Sequence, residues 1–67
     1  MNKFAIRLKK ELEINKISQI ELANRIGLSK SIISQYCSGK KEPTLDTLIL
    51  ICNTLNESAD YLLGIVD

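Results

Sequence analysis

The sequence predicts an all-α fold, a single domain over residues 1–67 made of five short helices. Three observations predict it. Apolar residues recur at helical spacing, as in Phe4, Leu8 and Leu12, then Leu45, Leu48, Ile51, Cys52 and Leu55. A residue with a short capping side chain (Asn2, Ser18, Ser29, Thr44, Ser58) precedes each of the five stretches. With no Trp, one Phe and two Tyr in a chain that is 45% hydrophobic, Leu and Ile must carry the packing, as in a helical bundle. A chain of 67 residues buries only about 60% of the surface its unfolded form exposes, so no deep catalytic cleft is expected.

The first helix is expected from about Lys3 to Ile14, capped by Asn2, with Phe4, Ala5, Leu8 and Leu12 facing inward. Lys3, Arg7, Lys9, Lys10, Glu11 and Glu13 fall on its other faces, and Asn15-Lys16 ends the period. Ser18-x-x-Glu21 is a capping box for the second helix, and Ile17 with Leu22 forms its hydrophobic staple. The third helix starts the same way, with Ser29 as cap and Leu28 with Ile33 as staple. Gly27 lies between these two starts, and small Ala23 sits where the helices cross. That combination is what a steep helix-turn-helix needs. The third helix should close near Cys37-Ser38 on a left-handed Gly39. After the loop Lys40-Lys41-Glu42-Pro43, Thr44 caps a fourth helix with Leu45, Leu48, Ile51, Cys52 and Leu55 inward. Asn56-Glu57 breaks it. Ser58 then caps a short fifth helix with Ala59, Tyr61 and Leu62 as packing residues, ending at Gly64.

Charge is unevenly spread. Residues 1–41 hold all nine Lys and Arg against three acids, net +6, while residues 42–67 hold five acids and no base. Such a dipole orients a molecule on a polyanion, basic end first. The first residues lack the long apolar segment of a secretory signal, and no run approaches the roughly 18 apolar residues of a membrane span. A cytoplasmic protein is therefore expected. Cys37 and Cys52 match no metal spacing and there is no His, so both are read as small core hydrophobes. Ser38-x-x-Lys41 has the spacing of some acyl-transfer enzymes but lacks a second motif, and no acid pair falls in a cleft. No enzyme, cofactor, metal or small-molecule ligand is indicated.

Ser18-Gln-x-Glu-Leu-Ala-x-x-x-Gly-Leu-Ser29, followed by Ile33-x-x-Tyr36-x-x-Gly39-Lys-x-x-Pro43, resembles the Cro/repressor (XRE-like) helix-turn-helix family. The likeness runs from Phe4 to Gly64. It implies a five-helix lambda-repressor-like DNA-binding domain, with helices two and three forming the motif and the third entering the major groove. It further implies a homodimer on a palindromic double-stranded operator. Two departures stand out. Relatives often pair an Arg late in the first helix with a Glu near the end of the third, and here those positions are Leu12 and Cys37. An ion pair replaced by two apolar groups predicts that Leu12 and Cys37 pack together. Leu50 and Ile14 stand where polar residues are usual, and are expected to be exposed apolar spots.

The resemblance places base readers at Lys30, Ser31 and Gln35, with Ser34 as a fourth. A Lys donates to guanine O6 and N7, and a Gln bonds adenine N6 and N7. Gln19, with the free N–H groups of its helix start, suits a phosphate. Lys40 and Lys41 suit the opposite side of the same backbone, and the helix start at Thr44 offers a further N–H. Lys10, Lys16 and Arg25 are weaker candidates that a salt bridge or plain solvation would equally explain. In the tail, Leu63, Ile65 and Val66 either form a dimer seam or, for the last two, fold back on the core. The expected function is a transcriptional regulator, a repressor that excludes polymerase. The alternatives are the DNA-binding part of a longer repressor or antitoxin, a protein-interaction module, and a controller that also activates.

Overall fold

The computed structural model describes residues 2–67 and contains five helices: α1 (Lys3–Asn15), α2 (Gln19–Ile26), α3 (Lys30–Ser38), α4 (Leu45–Leu55) and α5 (Ala59–Leu63). Every start carries the expected cap. Asn2 Oδ1 accepts from the Ala5 N–H at 2.7 Å, Ser18 from Glu21 at 3.1 Å and Ser29 from Ile32 at 3.2 Å. Thr44 accepts from Thr47 at 3.2 Å and Ser58 from Tyr61 at 3.1 Å. Each bond satisfies one donor that the first turn would otherwise leave bare. The Ser18 box is half formed, because the Glu21 carboxylate accepts from Arg25 at 2.6 Å, one turn along the same helix.

All five helices end on a left-handed residue. Gly27, at φ 73°, makes the tight turn between α2 and α3, and its N–H returns to the Ala23 carbonyl. Lys16 and Asn56 take the same conformation without being glycine, at φ 56° and 53°. For Asn56 this is a common use of the side chain, whereas for Lys16 it is strained.

The core gathers Phe4, Leu8, Leu12, Leu22, Ala23, Ile26, Ile33, Tyr36, Cys37, Leu48, Ile51, Leu55 and Leu62 into one cluster. α3 packs on both α1 and α2, α4 packs on α2, and α5 closes against α1. Phe4 meets the edge of Tyr36 with ring centres 6.4 Å apart, tying α1 to α3. Leu12 and Cys37 both lie in this cluster and are almost fully buried. Ile14 and Leu50 are exposed, as the departures from the family pattern predict.

Three inward or outward assignments change. Leu45, expected inside, is 79% exposed. It is the first residue of α4, and the core stripe runs through Leu48, Ile51 and Leu55, so Leu45 lies past its edge. Glu11, expected outside, is 8% exposed. It follows Leu8 by one turn on the flank of the buried stripe, facing Glu57 of the α4–α5 turn. Burial first, then the Glu57 charge, push its carboxyl above the usual value. Arg7, also expected outside, lies with its guanidinium 4.6 Å over the Tyr61 ring.

Candidate nucleic-acid interface

The outer side of α3 carries Lys30, Ser31 and Ser34, all exposed, with Gln35 half-buried beside them. These four residues fall together because α3 buries Ile33, Tyr36 and Cys37 on its opposite side. Their side chains make no hydrogen bond or ion pair among the described residues, which leaves their donors and acceptors available.

Two cationic borders flank that row. On one side, the Gln35 carbonyl accepts from the Lys40 N–H at 3.0 Å, the Lys41 N–H at 3.3 Å and the Ser38 hydroxyl at 3.2 Å. This fan of bonds folds the loop back onto the end of α3 and holds both lysines beside it. On the other side, Gln19 opens α2 and shares a shallow notch of about 170 Å³ with Lys9, Ser34, Cys37 and Ser38. The sequence by itself places Lys9 only on an outer face of α1. Nothing within α1 marks it, since its position depends on α1 crossing α3. Its ammonium lowers the Cys37 thiol, although burial outweighs it and the thiol is pushed up overall. An inert thiol results.

The remaining sites divide. The Thr44 hydroxyl is occupied within its own helix: it accepts from the Thr47 N–H and donates to Thr47 Oγ1 at 3.1 Å. Any phosphate contact there falls to backbone N–H groups of the first turn. Arg25 is engaged by Glu21. Leu63, Ile65 and Val66 all have exposed side chains, so the last two do not fold into the core. Their backbone does turn back. The Ile65 N–H bonds the Asp60 carbonyl at 2.9 Å, and Arg7 donates to the carbonyls of Tyr61, at 2.7 Å, and of Val66. Arg7 thus clasps the tail while leaving its apolar side chains in water.

No group of three or more side chains suited to a metal ion occurs among the described residues. No helix among them is long and apolar enough to cross a membrane.

A glycine-hinged helix pair with a bare polar outer face and lysines beside it defines a helix-turn-helix module. The chain belongs to the XRE-type helix-turn-helix family of DNA-binding transcriptional regulators, whose model, described as "Helix-turn-helix", matches residues 8–62. It is similar to the uncharacterized HTH-type transcriptional regulator YobD of Bacillus subtilis (strain 168), with 34% identity over 61 residues, covering 91% of this chain and 54% of the relative. YqaE of the same organism, another uncharacterized HTH-type transcriptional regulator, is 38% identical over 60 residues, covering 90% and 52%. The HTH-type transcriptional regulator ImmR, again from Bacillus subtilis, is 34% identical over 58 residues, covering 87% and 46%. The chain spans about half the length of the curated relatives it matches.

Proposed function

We propose that this chain binds a specific palindromic operator as two copies, each laying α3 in a major groove, and represses transcription by excluding polymerase. The observation that carries this reading is the open row Lys30, Ser31, Ser34 and Gln35 between two cationic borders. Lys30 and Gln35 read base edges, with Ser31 and Ser34 adding adaptable hydroxyls. Gln19, Lys40, Lys41, Lys9 and the backbone at Thr44 hold phosphates and set the register. The basic residues, all within 1–41, draw the chain onto the polyanion. Two recognition helices about 34 Å apart meet successive major grooves on one side of the duplex. The exposed Leu63, Ile65 and Val66 provide apolar surface for pairing. Because the relatives are about twice as long, the same module also suits the DNA-binding part of a longer regulator.

Selection of bound duplexes from a random library tests the reading. An enriched palindrome whose affinity falls as salt rises is expected. An unenriched pool with salt-insensitive binding would leave a protein-interaction module instead.

A further inference from the structure

We propose that Arg7 is a positioning residue: its guanidinium holds residues 64–67 against α1 and keeps the exposed tail surface in place, separately from the face that meets DNA. The clasp stands on geometry alone, and the use of the tail surface rests on the operator reading above. Burial does not hold the tail. Ile65 is 68% exposed and Val66 49%, so their packing does little to fix residues 64–67. The preceding α5 spans only five residues, too few to order its own end, and its last turn has carbonyls without helical partners.

Arg7 supplies the missing donors. Its Nη1 donates to the Tyr61 carbonyl at 2.7 Å, inside α5, and to the Val66 carbonyl beyond it. The Tyr61 ring lies 4.6 Å beneath the guanidinium, and only 17% of the Arg7 side chain is exposed. Charge-assisted bonds shielded in this way are stronger than an ion pair in water. The Asp67 carboxylate, 3.9 Å away and fully exposed, adds little. Lys3, one turn earlier on α1, closes the other side. Its aliphatic stem lies across Gly64, where any side chain on residue 64 would collide with it. Past Gly64, at φ 81°, the Ile65 N–H bonds the Asp60 carbonyl at 2.9 Å. The tail backbone is thus anchored to α5 through Asp60 and to α1 through Arg7.

The clasp lies away from the recognition row. Arg7 and Lys9 are two positions apart on α1, which sets them about 200° apart around the helix. Lys9 borders the notch with Gln19 and Ser34, whereas Arg7 reaches α5. One helix therefore carries a DNA-side cation on one face and the tail anchor on the other. Opening the clasp frees the tail and leaves the α3 row as it is.

Amide hydrogen exchange followed by NMR tests this on the full chain, comparing wild type with Arg7→Met and Arg7→Lys. Methionine keeps the apolar reach over Tyr61 and donates nothing. Lysine keeps the positive charge but stops one bond short of the two carbonyls. The Ile65 amide should exchange about ten-fold faster or more in Arg7→Met, and by an intermediate factor in Arg7→Lys. Amides of α3 should keep their wild-type rates. Both variants should bind a single arm of the selected palindrome as wild type does. Arg7→Met should lose about ten-fold of the added affinity for the whole palindrome. Four results would each overturn the inference: an unchanged Ile65 rate in both variants, equal acceleration of Ile65 and α3, loss of helical circular dichroism in both, or a palindrome advantage that survives release of the tail. If wild type binds neither duplex, the operator reading falls and the exchange rates alone decide the clasp.

Discussion

Exchanging Leu12 for arginine puts a charge into the contact zone between α1 and α3. Leu12 is 5% exposed and Cys37 is 3% exposed in the same cluster. An uncompensated buried charge costs about 3–5 kcal/mol. A domain of this size has only about 3–10 kcal/mol of total stability at ~0.05–0.15 kcal/mol per residue. Leu12→Arg alone should therefore lower the melting temperature by roughly 12–40 °C, at about 4–8 °C per kcal/mol. Cys37→Glu should be milder, because Lys9 already lies close enough to influence that position. Introducing both recreates an ion pair across the two helices and should recover about 2 kcal/mol or more relative to the summed single effects. Urea denaturation of all four proteins, followed by circular dichroism, measures the coupling. If Leu12→Arg does not fold alone, cooperative unfolding of the double variant is itself the rescue. Additive effects within about 0.5 kcal/mol would refute the packing of Leu12 against Cys37.

Four further outcomes follow from particular side chains. Glu11→Gln should raise the melting temperature at pH 7 and leave it unchanged in acid. The folded state holds the Glu11 proton to a higher pH than the unfolded chain does, so its contribution is complete below the ordinary carboxyl value and lost as pH rises through the raised one. Thermal melts across pH 3–8 check this, and an equal gain at every pH would contradict it. Lys16→Gly should stabilise by about 1 kcal/mol in chemical denaturation by relieving the left-handed backbone at φ 56°. Gln35→Ala should cost about 1–3 kcal/mol on the selected operator and relax choice at one base position. Lys40→Ala and Lys9→Ala should instead weaken all DNA about equally, each flattening the salt slope by about one unit in titrations at several salt concentrations.

The five helices and their ends were legible in the sequence because caps, staples and left-handed terminators act within four or five residues. Asn2, Ser18, Ser29, Thr44 and Ser58 each satisfy a donor three positions on, and Gly27 and Gly39 supply the backbone conformations their turns need. The exposure of the polar row on α3 was legible too, since the periodicity that buries Ile33, Tyr36 and Cys37 leaves Lys30, Ser31 and Ser34 outside. Tertiary structure alone decided what lies at the edges of those stripes. The burial of Glu11 against Glu57, the exposure of Leu45, the place of Lys9 beside Gln19 and Ser34, and the Arg7 clasp on the tail all depend on how helices cross. A residue at the margin of a helical face is covered or bared by whatever neighbour arrives. That neighbour comes from tens of positions away, so no local pattern encodes it.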